Sequence, residues 1–247
     1  MLERPAARRR GTSRSDRHAG SVAAFAVRRE QGFARVHDGG VRAFRDRVDA
    51  GRRLGDRLGH LRGQDLVVLG LPRGGVPVAA QVAAALAAPL DIIVVRKLGH
   101  PNHPEYAVGA IGEEGARVLT SGAKSLDSHE LLRVAAKESA ELDRRVRLLR
   151  GHRAAEPLSG RTAVIVDDGI ATGATAAAAC QVARHRGAAR VVLAAPVAAR
   201  EAVMELERVA DEVAVVIAPS GFTAVGAWYD DFTPTSDAEV AAILAAV

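Results

Sequence analysis

The chain is predicted to fold as an α/β domain, a doubly wound and mostly parallel sheet, on three observations. Short Val/Ile-rich runs alternate with stretches of helical periodicity. The runs are continuously apolar rather than alternating, the mark of strands covered on both faces, and intervening helices make right-handed parallel crossovers. The glycine-rich and polar segments follow the ends of the runs, where this architecture carries its sites.

The elements follow in order. Residues 1–40 are Arg-, Ser- and Gly-rich without sustained periodicity and read as a disordered extension. Their acid-poor start also resembles an organelle transit peptide. A domain is expected over 41–247. VRAFRDRVDAGRRLGDRLGHL (41–61) spaces Phe44, Val48, Leu54, Leu58 and Leu61 as an amphipathic helix. Strands are predicted at 65–71, 91–95, 107–111, 161–167, 190–196 and 212–219, and helices at 76–88, 127–150, 173–187 and 199–209.

With 247 residues and 48% of them hydrophobic, the chain can build a substantial core, and 3% aromatics leave that core to Ala, Val, Leu and Ile. No apolar run approaches the roughly 20 residues that span a bilayer. The single cysteine, Cys180, excludes an intrachain disulfide framework and points to a reducing, cytoplasmic setting; in its Ala-rich helix it reads as a small buried hydrophobe. The net charge of +5 is unevenly placed. Residues 1–63 hold 16 Arg and 7 acids, a surplus of nine, whereas the remainder holds 18 basic and 22 acidic residues, a deficit of four. Nucleic acid is therefore not the expected partner of the main body.

The stretch AVIVDDGIATGAT (163–175) ends a strand on two adjacent carboxylates, Asp167 and Asp168, with no basic residue in the next dozen positions. Unpaired carboxylates are costly to bury, so something outside the chain is expected to meet them. Ala171, Thr172, Gly173, Ala174 and Thr175 then offer free N–H groups, two hydroxyls and a helix start, which suit a phosphate monoester without Lys or Arg. Paired carboxylates suit vicinal hydroxyls, and a diol beside a phosphate describes ribose 5-phosphate.

VIVDDGIATGAT resembles the 5-phosphoribosyl 1-pyrophosphate (PRPP) motif of the type I phosphoribosyltransferases. The likeness extends from Phe44 to the C-terminus through FRDRVDAGRRL, GLPRGGVPVA, VVRKLGHPNHPEYAVGAIGEEG and FTAVGAWYDDF, a set similar to a bacterial branch of predicted phosphoribosyltransferases of unassigned acceptor. The extension at 1–40 lies outside it. The resemblance implies a common core, a flexible lid and a hood built from 41–61 and 220–247. It makes GLPRGGVPVA (70–79) the pyrophosphate loop, in which Gly74 and Gly75 permit unusual backbone angles and Arg73 adds a forked cation. The Gly-Lys-Ser/Thr of a nucleoside-triphosphate loop is missing there. Arg96 and Lys97 are placed to contact pyrophosphate, and the polar run from His100 to Tyr106 is placed as the lid.

In the hood, Val225-Gly226-x-x-x-Asp230 loosely resembles the hypoxanthine-guanine enzymes, which would put Asp230 near metal or acceptor. That group's stacking aromatic is replaced by Thr223-Ala224, with Phe222 displaced by one residue, so purine specificity does not follow. Phe222, Val225, Trp228 and Tyr229 are the acceptor-binding candidates; a stacking surface and hood–core packing are both open readings of the aromatics. The resemblance implies displacement of pyrophosphate from C1 of PRPP by a nitrogenous acceptor such as a nucleobase, with Mg2+ held by Asp167, Asp168 and Asp230. Asp167, Asp168, Lys97 and Glu105 are the catalytic candidates, and no residue stands out as the general base. A homodimer is compatible with the resemblance. The rival readings are a PRPP-sensing regulator without turnover, favoured by the Arg-rich start, and a ribose-phosphate hydrolase.

Overall fold

The computed structural model describes residues 43–247, the side chains of Pro104, Glu105 and Ser121 excepted; the expectations for 1–40 lie outside the described residues. A five-stranded sheet runs in the order β2 (Leu90–Ile92), β1 (Leu66–Gly70), β6 (Thr162–Val166), β7 (Arg190–Val197), β8 (Glu212–Ile217), every neighbouring pair parallel. Its helices are α1 (Arg47–Arg57), α2 (Gly75–Leu86), α3 (Ser128–Arg150), α4 (Ala174–His185), α5 (Arg200–Leu206) and α6 (Asp237–Ala245). Alternate residues divide the two faces, as a period of two requires. Val68, Val164, Val166, Val192 and Ala194 pack with Leu54, Val78, Val82, Leu142 and Val240 on one face. Val67, Leu69, Ile165, Val191 and Leu193 pack with Ala176, Ala179, Ala183, Val203 and Leu206 on the other. The alanines of α4 let that helix lie close to the sheet. The buried Cys180 has its thiol pushed up to about 12, by burial first, and is inert as a nucleophile at neutral pH.

The lid segment departs from the loop expected of it. Val95–His100 (β3) and His103–Gly112 (β4) form an antiparallel hairpin, extended by Arg117–Leu119 (β5) into a three-stranded sheet of its own. The run 107–111 is thus a strand of this hairpin and not of the central sheet. The apolar residues Val95, Leu98, Val108 and Ile111 explain it: Leu98, Val108 and Ile111 are buried, and they carry the hairpin onto the core.

A buried ionic network ties the base of this hairpin down. Arg150, at the end of α3, donates from Nε to Glu113 Oε2 at 3.0 Å, from Nη2 to Glu113 Oε1 at 3.1 Å and to the Ile92 carbonyl at 3.1 Å, and it also pairs with Asp91. Both carboxylates also accept a backbone N–H: Val94 N–H reaches Glu113 at 3.2 Å and Glu156 N–H reaches Asp91 at 2.8 Å. Helix α6 was not foreseen, although Ser236 and Glu239 form the capping box that announces it. No helix among the described residues is long and apolar enough to cross a membrane.

Candidate functional site

The ends of β1, β2 and β6 bring three loops together. After β6, Gly173 adopts φ 76°, in the left-handed region, and starts α4 without any side-chain cap. The first N–H groups of the helix therefore point outward unclaimed, a ready anion site. They face a cavity of about 180 Å³ lined by Asp167 and residues 169–176. The structure thus places the expected Ala171, Thr172, Gly173, Ala174 and Thr175 around one recess, with Asp167 on its wall.

Beside it lies a larger cavity of about 550 Å³, and Thr175 lines both. Leu71 and Pro72 of the loop after β1 form one side, and Arg96, Lys97, Lys137 and Arg145 give it a cationic lining, with His100 beside them, in which Glu138 is the one acid among the described residues. Arg96, expected to contact pyrophosphate, is on this lining and is also engaged within the protein. It forks onto Glu138 of α3 at 2.7 and 2.9 Å, because the hairpin packs directly against that helix. Lys137 and Arg145 escaped the sequence reading; both lie on the helical face that also carries Val134 and Glu138, a spacing legible only once the hairpin is known to cover that face. The side chain of Glu105, expected to be catalytic, is outside the described residues.

Gly74 and Gly75 serve by their lack of bulk and not by unusual angles. Gly74 has φ −63° and ψ −29°, which any residue adopts. A Cβ on it would overlap Asp168 Oδ2, 2.6 Å from the Asp168 Cγ and 3.1 Å from Arg47 Nε. A Cβ on Gly75 would lie 2.5 Å from the Val166 carbonyl and 2.9 Å from Asp167 Cα. The loop after β1 is therefore pressed against the two acids. Gly74→Ala is expected to cost about 1–3 kcal/mol through overpacking alone, read as a lowered thermal midpoint with the helical content retained. Arg73, between these glycines and Pro72, is exposed and stands 3.8 Å from Asp237 of α6, a loose surface pair.

The acids themselves correct the expectation that only an outside partner meets them. Arg47, at the start of α1, donates from Nε to Asp168 Oδ2 at 2.8 Å, with Nη2 2.8 Å from the same oxygen. That partner lies 121 residues away and is invisible in the local sequence. Asp167 accepts the Asp168 N–H at 2.9 Å. Its carboxyl is pushed up to about 8, by burial first and then by the neighbouring charge of Asp168. Asp168 is also raised, by burial, with Arg47 opposing the shift.

The expected metal set does not assemble. No cluster of three His, Cys, Asp or Glu able to hold a metal occurs among the described residues. Asp230 is exposed next to the buried Tyr229, whose extended backbone (φ −119°, ψ 142°) turns successive side chains to opposite sides. Its N–H bonds the Phe44 carbonyl at 2.8 Å. Among the aromatics, hood–core packing prevails. The rings of Phe44 and Tyr229 lie 5.4 Å apart, those of Tyr229 and Phe232 5.0 Å, and the Tyr229 hydroxyl donates to the Asp168 carbonyl at 2.6 Å. Tyr229 is 2% exposed and is removed from the stacking candidates. Val225 is seated on Gly169, while Phe222 and Trp228 stay half-buried and the Trp228 indole N–H has no partner among the described residues.

Comparison with known proteins agrees with this geometry. The family model "Phosphoribosyl transferase domain" matches residues 48–226. Two Mycobacterium tuberculosis proteins, from the CDC 1551 / Oshkosh and H37Rv strains and each named "Putative phosphoribosyl transferase", are 55% identical over 207 residues, which is 83% of this chain and 47% of each of theirs. The chain thus spans about half the length of these curated relatives. The crystal structure of TT1426 from Thermus thermophilus superposes with a TM-score of 0.77 at 46% identity, covering 82% of this chain and 97% of that one. The strand-end loops, the uncapped α4 and the match across both together place the chain in the phosphoribosyl transferase domain family.

Proposed function

We propose that the protein is a PRPP-dependent phosphoribosyltransferase that replaces pyrophosphate at C1 with a nitrogenous acceptor, such as a nucleobase. One observation carries this reading: an uncapped helix N-terminus with a carboxylate on the same cavity wall, adjoining a second, cation-lined cavity at Thr175. The 5-phosphate sits against the N–H groups of 173–175 and the Thr172 and Thr175 hydroxyls. Asp167 accepts from the ribose hydroxyls and sets negative charge beneath a ring that becomes cationic as the C1–O bond breaks. Lys97, Lys137 and Arg145 face the leaving pyrophosphate, and the hairpin over the cavity limits water. Binding energy gathered at the distant phosphate orients C1.

The Asp167 carboxylate on the wall of the recess fits magnesium, which keeps several waters and is held by one or two carboxylates plus substrate phosphates. Asp167 would hold it, and the ion would neutralise charge on the leaving group. Titration calorimetry with Mg-PRPP, ribose 5-phosphate and pyrophosphate tests the reading, followed by a screen of nucleobases and small amines for pyrophosphate release. Binding of all three ligands with release by one acceptor class is the expected outcome; no binding of any of them refutes it.

The mutual packing of Phe44, Tyr229 and Phe232 favours a second reading, a PRPP-sensing regulator, because those rings are occupied with each other and not presented to a base. That reading expects PRPP binding with no pyrophosphate release across the whole panel.

A further inference from the structure

The cation-lined cavity holds more positive charge, spread over a greater length, than pyrophosphate alone would use. Helix α3 runs along its wall. Arg150, at the helix C-terminus, is fastened to Glu113 and the Ile92 carbonyl at the hairpin base, and Glu138 meets Arg96 farther out. The helix thus passes the hairpin from tip to base. Lys137 and Arg145 lie about 12 Å apart along its axis. Side chains lean toward a helix N-terminus, so Lys137 leans to the hairpin tip. Arg145 belongs to the other end, near the loop after β1: Arg73 of that loop stands 3.8 Å from Asp237, whose charge also acts on Arg144. Lys137 has no hydrogen bond or ion pair among the described residues. Beside it on the lining, His100 Nδ1 accepts the Asn102 N–H at 3.2 Å, which leaves the ring hydrogen on Nε2 as a donor.

The lining sets four cations against one acid, a surplus of three, around about 550 Å³, far more than two linked phosphoryl groups fill. The acceptor does not account for the surplus, because in a displacement at C1 it approaches from the side away from the departing group. We infer that the cavity is an oligophosphate site: with pyrophosphate at the end of Arg145 and the loop after β1, Lys137 and His100 at the tip end take a third linked phosphoryl group. Tripolyphosphate, or the triphosphate chain of a nucleotide, then binds more tightly than pyrophosphate and excludes PRPP. Arg96 serves the middle of the chain, since its fork onto Glu138 uses Nε and Nη2 and not Nη1. The Gly-Lys-Ser/Thr loop is not required, because the cations come from α3 and the hairpin. Only the exclusion of PRPP rests on the proposed transfer reaction; the preference for a third phosphate rests on the cavity itself.

Calorimetry at fixed free Mg2+ compares pyrophosphate, tripolyphosphate and ATP on the full chain and on its Lys137→Ala, Lys137→Arg and Arg145→Ala variants. The parent is expected to bind tripolyphosphate about 10- to 100-fold tighter than pyrophosphate, the worth of one more hydrogen bond to a charged group. Lys137→Ala is expected to bring the two affinities within about threefold of each other, and Lys137→Arg to restore most of the difference. Arg145→Ala is expected to weaken both ligands and keep their ratio, whereas diffuse attraction to a cationic cavity shrinks the ratio alike in both alanine variants. ATP that displaces tripolyphosphate identifies a nucleotide as the source of the chain, and ATP that fails to displace it identifies free inorganic polyphosphate; either supports the site. Equal affinity of the parent for the two phosphates, binding of neither, or a ratio that falls equally in Lys137→Ala and Arg145→Ala overturns it. Mg-PRPP is titrated alongside, with and without saturating tripolyphosphate, and binding undisturbed by the polyphosphate overturns the exclusion. A parent that prefers tripolyphosphate but never binds Mg-PRPP keeps the oligophosphate site and removes the transfer reading; Mg-PRPP binding without that preference does the reverse.

Discussion

Asp167→Asn is expected to yield a protein at least as stable as its parent that has lost most of its affinity for Mg-PRPP. The two effects share a cause. Burial and the Asp168 charge hold the Asp167 carboxyl up at about 8 against an ordinary 3.8, so the folded state disfavours its charged form. The stability linked to this raised group is fully present below about 3.8 and is lost as the pH rises through about 8. A neutral amide of the same shape escapes that penalty. The variant should therefore overtake the parent in thermal midpoint by a margin that grows from about pH 4 to about pH 8, and each 1 kcal/mol gained is worth about 2–4 °C at this size. Affinity falls because the amide loses an acceptor and the negative charge that a cation-carrying sugar phosphate selects. In the parent, binding that requires the carboxylate must expel its proton. Calorimetry near neutral pH in two buffers of different ionisation enthalpy should show proton release, and Asp167→Asn should show none. Equal affinity in parent and variant would remove Asp167 from the site.

The largest stability effect is expected at Arg150. Removing one partner from a buried pair strands the rest, and Arg150→Ala leaves Asp91 (0% exposed) and Glu113 (8%) without their counter-charge. The expected loss is about 3–5 kcal/mol, or roughly 6–20 °C in thermal midpoint. Replacing all three by apolar residues of similar volume should recover most of it, since the desolvation cost leaves together with the pairing. The local consequence falls on the hairpin, because Glu113 directly follows β4 and Val94 N–H donates to it just before β3. Limited proteolysis of Arg150→Ala should cut first between residues 95 and 119. Cleavage spread evenly over the chain would mean that the network serves the whole fold and not the hairpin.

The parts of the fold that could be read in advance are those that local pattern specifies. The parallel strands show as continuous Val/Ile runs, because a strand buried on both faces tolerates little else. The ends of α2, α3 and α4 fall within two residues of where periodicity puts them. The hairpin at 95–112 was harder, since a histidine-, proline- and glycine-rich turn looks the same whether the flanking residues pair or not. Helix α6 carried a readable capping box that an Ala-rich, weakly amphipathic run concealed.

The sequence by itself determined the α/β architecture and the small-residue helix start at 171–175, because both are short-range matters: period, small residues, and the N–H groups that any helix start leaves open. Tertiary structure alone decided how the charges are shared. Arg47 reaches Asp168, Arg96 turns to Glu138, Arg150 gathers Asp91 and Glu113, and Asp230 stays at the exposed surface. Such pairings depend on which elements the folded chain lays side by side, and a buried charge takes the nearest opposite one in space, whatever its distance along the sequence.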